Sequence, residues 1–211
     1  MHFEIHPLKQ LIMQGEGPML DFKKTISSAP KIAKTLVAFA NCKGGRLLIG
    51  VRDNGAIVGV SVEEDLYMIE SAAYFFCKPP IHYIPQVHKY NNCQVLEIYV
   101  PESNQKPHAA KGEDGKWWVY IRVNDQSVLA SKIVVDVLRK ENAQEGAKIT
   151  YTSKESALLH YLAQHQRITL KEYCKLINIS RRRAIKILVN LIQAGVIRVH
   201  HTEKTEFYTL S

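Results

Sequence analysis

An apolar helix joined to an apolar strand by two glycines most limits how this chain can fold. Ser28 is a typical N-cap residue. After it, Ile32, Leu36 and Phe39 recur at the spacing that places apolar side chains on one helix face. The glycines at 44–45 permit a tight turn, and the short apolar run RLLIGV after them is typical of a buried strand. Together with the elements that follow it along the chain, this helix and strand predict an α+β domain with a mixed sheet.

The rest of the chain up to residue 140 supplies further short elements for this domain. Hydrophobic periodicity and turn residues predict helices over 7–14, 62–76 and 131–140, and strands over 19–22, 46–51, 56–60, 81–88, 95–100 and 117–122. The strands 46–51 and 56–60 flank Asp53, Asn54 and Gly55, which predicts a hairpin. The polar stretch KENAQEGAK at 140–148 then indicates a boundary. We therefore expect domains at 1–140 and 151–211, joined by a linker at 141–150.

Charge is concentrated in the last part of the chain. The 28 basic and 20 acidic residues give a net charge of +8. Residues 151–211 alone carry ten basic and four acidic residues, a net charge of +6. Such an excess favours a polyanionic partner, either nucleic acid or an acidic membrane surface.

Several classes of protein are excluded by simple counts. No apolar run reaches the roughly 18 residues of a membrane span, and the charged N-terminal segment is unlike a signal peptide. The four cysteines form no CxxC pair, which argues against a zinc ribbon or a disulfide framework. We therefore expect reduced thiols and a cytoplasmic protein that does not enter membranes.

The C-terminal 60 or so residues are typical of a winged helix-turn-helix domain. Thr152 and Thr169 are predicted to cap two helices, and a third helix is predicted over 181–194, ending at Gly195. Two alternating segments, 196–199 and 206–210, follow as strands around a polar tip. Three helices and a two-stranded ribbon in this order predict contact with DNA through the third helix.

The third predicted helix has an apolar face and a basic face. The spacing predicts that one face is buried: Ile185, Leu188, Val189 and Ile192. The opposite face is predicted to point outward: Arg183, Lys186, Ile187 and Asn190. Three arginines at 181–183 oppose the helix dipole, which favours anions at that end. Contact with phosphates and base edges explains their position better than helix stability does, although a solvated basic face is the alternative.

Candidate DNA contacts follow from this reading. The third helix is predicted to enter the major groove of duplex DNA, with Ile187 against a thymine methyl group. Phosphate or minor-groove contacts are predicted at the wing tip. A second basic group in the first domain is interpreted as a phosphate contact or, equally, as a solvated edge. The candidate DNA-binding residues are Arg181, Arg182, Arg183, Lys186, Asn190, His201, Lys204, Lys106 and Arg122. Because such proteins often read two half-sites, a homodimer is expected.

Four segments of the first domain resemble a known family. They are GEGPMLDFKK at 15–24, LVAFANCKGGRLLIGVRDNGAIVGV at 36–60, KPH at 106–108 and YIRVND at 120–125. In this order they resemble the Schlafen/AlbA-like DNA-binding domain family, which in bacteria often precedes a winged helix. The resemblance implies nucleic-acid binding by the first domain as well. For some eukaryotic members it also implies metal-dependent RNA cleavage by three carboxylates, which correspond here to Glu16, Asp21 and Asp53.

Three functions remain open at this point. The leading expectation is a DNA-binding transcription regulator rather than an enzyme. The first alternative is a nuclease on RNA or DNA that holds Mg²⁺ or Mn²⁺ between Glu16, Asp21 and Asp53, although Asp21 stands where the family usually has glutamate. Asp53 could instead only stabilise the turn in which it lies, and Asp21 could form a surface ion pair with Lys23. The second alternative is an ATP-binding protein-interaction adaptor, as the resemblance allows, but the chain lacks the GxxxxGK[ST] loop.

Overall fold

The computed structural model describes residues 6–143, 152–202 and 204–211. The chain divides into two compact units, a first unit at Met1–Ala130 and a second unit at Ser131–Ser211. The helix Lys132–Ala143 belongs to the second unit, so the division falls earlier in the chain than the expected boundary at 140. The predicted linker at 141–150 begins inside this helix, and its residues 144–150 lie outside the described part.

The first unit is an α+β domain. Its elements are α1 (Pro7–Ile12), β1 (Leu20–Lys23), α2 (Ala29–Asn41), β2 (Gly45–Ile49), α3 (Val62–Phe75), β3 (Cys77–Lys78), β4 (Ile84–Tyr90), β5 (Cys93–Val100), β6 (Ala109–Lys111), β7 (Trp117–Trp118), β8 (Tyr120–Val123) and β9 (Gln126–Leu129). The main sheet has the order β1-β2-β5-β4, with β1 parallel to β2 and the other pairs antiparallel. The mixed sheet predicted from the sequence is therefore confirmed.

Helices cover both faces of the main sheet. On one face, α2 and α3 pack against Leu47 and Ile98, and on the other, Leu8 of α1 packs with Phe22 and Leu48. The glycine pair between α2 and β2 is required by packing. A Cβ atom at Gly45 would lie 2.3 Å from the ring of Phe39, a distance at which no side chain fits. Gly45 thus lets the start of β2 lie closer to the Phe39 ring of α2 than any other residue would allow.

Two predicted strands take a different form. The segment 56–60 does not make a hairpin ladder with β2, because the amides of Val58 and Gly59 both bond to the carbonyl of Gly50, at 2.8 and 3.1 Å. Only a single bridge joins Val51 and Ile57. The strand predicted over 117–122 is split at Val119 into β7 and β8, which belong to different sheets.

The second unit contains α4 (Lys132–Ala143), α5 (Ser153–His165), α6 (Leu170–Leu176), α7 (Arg181–Gln193), β10 (Ile197–His201) and β11 (Glu206–Leu210). Thr152 and Thr169 each form a capping box, and Ser180 caps α7. The last two strands pair antiparallel. These elements follow the predicted order, preceded by α4, whose Ile133 and Val137 join their core. Among the described residues, no helix has the length and apolarity needed to cross a bilayer.

The buried face of α7 differs from the predicted one. Leu188 and Val189 are buried as expected, but Ile187 is also buried, and Ile185 is only half-buried. The prediction that Ile187 points outward is therefore wrong, and this side chain is not free to meet a thymine methyl group. The helix has two adjacent apolar stripes: one faces the core, and the other includes Val189 on the side of α4.

Candidate nucleic-acid interface

The N-terminal end of α7 presents four exposed cations. The hydroxyl of Ser180 accepts the backbone amide of Arg183 at 3.4 Å. This cap starts α7 directly before its three arginines. These arginines and Lys186 are exposed. In the described part of the chain none of the four side chains forms an ion pair. We call this group the basic face: Arg181, Arg182, Arg183 and Lys186.

Helix α4 lies beside α7 and adds further cations. Lys132 lies 2.9 Å and Arg139 3.6 Å from carboxylate oxygens of Asp136. The ammonium group of Lys140 donates to the side-chain oxygen of Asn190 at 2.8 Å. Asn190 is half-buried, so bidentate pairing with an adenine would require this bond to break. Sequence reasoning missed α4 as part of this surface because the helix was assigned to the first domain.

The two residues of the ribbon β10–β11 that were predicted to contact DNA differ in exposure. Lys204 at its tip is exposed, as predicted. His201 is mostly covered, with its Nδ1 3.5 Å from a carboxylate oxygen of Glu206. Burial lowers the pKa of His201 although Glu206 opposes the shift, so the ring is neutral near pH 7. His201 is therefore a poor phosphate ligand, contrary to the prediction.

The sequence reasoning also missed two exposed cations at the ribbon β10–β11. Arg198 points to solvent from β10, next to the buried Ile197. The alternation of apolar and polar residues along that strand would have identified it. The guanidinium of Arg167 lies 5.7 Å from the ring centre of Phe207, which holds it beside the ribbon. Periodicity gives no signal for Arg167, because it lies in the turn after α5.

The two residues of the first unit that were predicted to bind phosphate form ion pairs within the protein instead. The Arg122 side chain is 2% exposed; its guanidinium lies 3.3 Å from Asp21 and donates to the carbonyl of Gly17 at 2.8 Å. The central carbon of this guanidinium also lies 4.9 Å from the ring centre of Phe39, a cation–π contact. Lys106 has its ammonium 2.6 Å from Glu102 and a largely covered side chain. The structure thus contradicts the prediction that Arg122 binds phosphate, and it ties Lys106 to a carboxylate.

The three candidate metal-binding carboxylates do not form one site. Asp21 is buried between Lys23, at 2.7 Å, and Arg122, so both of its oxygens face cations. Glu16 accepts the amide of Phe22 at 2.8 Å, and burial together with its hydrogen bond to Asp21 raises its pKa. Asp53 is exposed in its turn. Within the described ranges, no three His, Cys, Asp or Glu side chains are grouped to hold a metal ion. These residues do not fit the predicted Mg²⁺ or Mn²⁺ site.

Comparison with known proteins decides the family of the first unit. Residues 16–131, more than half of the chain, match the Schlafen, AlbA_2 family. The chain belongs to this family. Membership of the Schlafen, AlbA_2 family points to a nucleic-acid-related function. No match was found among curated proteins.

Solved structures similar to this Schlafen, AlbA_2 protein include two from bacteria. The DIP2311 protein from Corynebacterium diphtheriae is 21% identical with a TM-score of 0.46, over 69% of this chain and 28% of that one. The N-terminal domain of an ATP-dependent DNA helicase RecG-related protein from Nitrosomonas europaea is 22% identical with a TM-score of 0.41. That match covers 61% of this chain and 97% of that domain. The chain thus spans little more than a quarter of the Corynebacterium protein's length.

In this Schlafen, AlbA_2 domain several residues of the matching segments hold the fold together. The side-chain Nδ2 of Asn41 donates to the backbone carbonyls of His108 and Tyr120, both at 2.9 Å, and its Oδ1 accepts the backbone amide of His108 at 2.8 Å. The His108 ring lies within hydrogen-bond distance of the Pro79 carbonyl and of the Ser103 hydroxyl. Burial lowers the pKa of His108, so it remains neutral at pH 7. The AFAN, KPH and YIRVND segments are therefore linked by buried hydrogen bonds.

Proposed function

We propose that this protein is a DNA-binding transcription regulator that acts in the cytoplasm as a homodimer, with its second unit contacting duplex DNA as a winged helix-turn-helix domain. The observation that carries the proposal is the basic face of α7: four exposed cations without carboxylate partners in the described chain. A helix of this kind contacts DNA through its N-terminal residues.

The position of these cations has an energetic cost within the protein itself. The helix dipole places partial positive charge at the N-terminal end of α7, where arginines are disfavoured. They lie close together and repel one another, and no acidic residue lies in the described first turn of the helix to offset them. DNA phosphates relieve this repulsion because they bring negative charge to the same end of the helix. The arrangement is thus unfavourable in the free protein and favourable in a complex with a polyanion.

The charge of the two units supports the same assignment. From 131 to 211 the chain has 14 basic and seven acidic residues, a net charge of +7. From 1 to 130 it has 14 basic and 13 acidic residues, a net charge of +1. Electrostatic attraction to DNA should therefore act mainly on the second unit.

The test is fluorescence anisotropy of a labelled duplex across a salt series. The full chain is compared with a variant that carries Arg182→Glu, Arg183→Glu and Lys186→Glu. We expect affinity to fall by roughly 100-fold or more, and the salt dependence to become shallower by about one for each phosphate that the variant no longer binds. Glutamates are favourable in the first turn of a helix, so unfolding of α7 is not expected to cause the loss.

A matched control keeps the same change in net charge but places it in the first unit. Lys24, Lys31 and Lys89 are exposed there, and their replacement by glutamate should weaken binding far less. Equal loss in both variants would indicate that only net charge matters. Loss in the control alone would move the DNA contact to the first unit, and absence of salt-sensitive binding by the native chain would reject the proposal.

A further inference from the structure

A groove lies between α4 and α7, entirely within the second unit. Its volume is about 560 Å³, which is within the range of roughly 300–1,000 Å³ typical of small-molecule sites. Ile185 and Val189 of α7 contribute its apolar surface. The aliphatic stems of the long basic side chains around it extend that surface.

The rim of the groove is strongly cationic. Six basic residues surround the apolar surface: Lys132, Arg139, Lys140, Arg181, Arg182 and Lys186. The lining contains one carboxylate, that of Asp136, which is shared by Lys132 and Arg139. The formal charge of the lining is therefore +5. An apolar surface enclosed by that many cations is complementary to a ligand that is apolar in its body and anionic at its end.

We propose that the α4–α7 groove binds a small amphiphilic organic anion, in which one acidic group is attached to an apolar ring or short chain. The apolar body would contact Ile185 and Val189, and the acidic group would be held by guanidinium and ammonium groups at the rim. DNA alone would not use the apolar surface, because phosphates are satisfied by the cations.

The ligand would also regulate DNA binding, a step that rests on the proposed function. Arg181, Arg182 and Lys186 belong both to the rim of the groove and to the basic face. An anion seated there neutralises charge that DNA would otherwise contact. Because coupling between two ligands is reciprocal, the anion lowers the affinity for DNA and DNA lowers the affinity for the anion by the same factor.

The first experiment uses 8-anilinonaphthalene-1-sulfonate as the probe and the full chain without DNA. We expect saturable binding, followed by its fluorescence. N-phenyl-1-naphthylamine, which lacks the sulfonate, should bind at least tenfold more weakly. Arg139→Glu, at an exposed rim position outside the basic face, should weaken binding of the sulfonate about tenfold. Lys171→Glu, which makes the same change in charge at an exposed site on α6, should leave it within about twofold. Equal binding of the two dyes, equal effects of the two substitutions or absence of saturable binding would overturn the proposal.

The second experiment adds the sulfonate probe to the complex with labelled duplex. We expect the apparent Kd for DNA to rise with probe concentration in the native chain, and to rise much less in Arg139→Glu. Probe binding without any DNA binding would reject the proposed function and leave the groove assignment intact. DNA binding that the bound probe does not weaken would overturn the regulatory step.

Discussion

The two units of this protein use their cations in opposite ways. In the first unit, Arg122 is buried against Asp21, Arg46 pairs with the buried Glu97, and Lys106 pairs with Glu102. In the second unit, the basic face of α7 remains exposed without ion pairs in the described chain. The first unit has 14 basic and 13 acidic residues, and these three cations are held in ion pairs within it. Charge that is available to a nucleic acid depends on pairing and burial as well as on the number of basic residues.

The largest effect is expected from breaking the buried pair of the first unit. Arg122→Met leaves the carboxylate of Asp21 buried with only Lys23 as a cationic partner. The free energy of unfolding should fall by about 3–5 kcal/mol. Urea denaturation followed by tryptophan fluorescence measures this unit specifically, because both tryptophans, Trp117 and Trp118, lie in it.

A double variant separates the effect of the broken pair from that of altered packing. Replacing Asp21 by leucine together with Arg122→Met removes both charges, and most of the stability should return. If Arg122→Met instead left stability unchanged and abolished DNA binding, Arg122 would be a phosphate ligand and the contrast between the units would fail.

The next effect concerns the basic face of the second unit. Arg183→Ala should weaken specific duplex binding by about 1–3 kcal/mol and relax the preference at one base pair, if it reads a guanine. The unfolding free energy should change little, since Arg183 is exposed. Isothermal titration with a specific and a scrambled duplex measures the change in binding, and urea denaturation measures the stability. Lys31→Ala, at an exposed site of the first unit, is the matched control and should alter neither.

A pH effect is expected in the first unit. Because burial lowers the pKa of His108 below the value near 6.5 of an exposed histidine, the unfolded chain binds a proton at a higher pH than the folded chain. The stability that the neutral ring contributes is therefore complete above about pH 6.5 and declines as the pH falls below it. His108→Gln should lose less stability than the native chain between pH 7.5 and 5.5, by urea titration with tryptophan fluorescence. Equal losses of unfolding free energy in the two chains would contradict a contribution of His108 to this pH dependence.

The smallest effect is expected at Lys106. Its ammonium group pairs with Glu102, a partly exposed carboxylate whose pKa is lowered by that hydrogen bond. Lys106→Ala should cost less than about 1 kcal/mol of stability, as surface ion pairs usually do. Its Kd for DNA should stay within about twofold of the native value. A tenfold loss of affinity for DNA, measured at the same salt concentration, would instead indicate that Lys106 contacts DNA.

The sequence predicted the structure correctly where a single local property, such as helix capping or burial, determines it. The helix caps at Ser28, Thr152 and Thr169 and the apolar runs predicted most of the elements, because capping and burial are local or periodic properties. The mixed sheet followed from them. The exposure of the arginines at 181–183 was also predictable, since a helix start cannot bury three adjacent guanidinium groups.

Long-range partners were not predictable in the same way. Arg122 and Arg183 look alike in sequence, and only the fold brings Asp21 and Phe39 to the former. On α7, seven apolar residues form two stripes, and periodicity alone could not tell which faces the core. The choice depends on α4, which extends into the polar stretch at 140–148 and packs with the helices that follow that stretch.

The most direct test of the contrast is a lysine acetylation footprint of the unmodified protein, with and without duplex DNA, read by mass spectrometry. Lys186 lies on the basic face, and Lys24, Lys31 and Lys89 are exposed in the first unit, so all four should react in the free protein. We expect saturating DNA to slow modification of Lys186 several-fold and to leave the other three unchanged. Protection of the three lysines of the first unit, with Lys186 still reactive, would contradict the account.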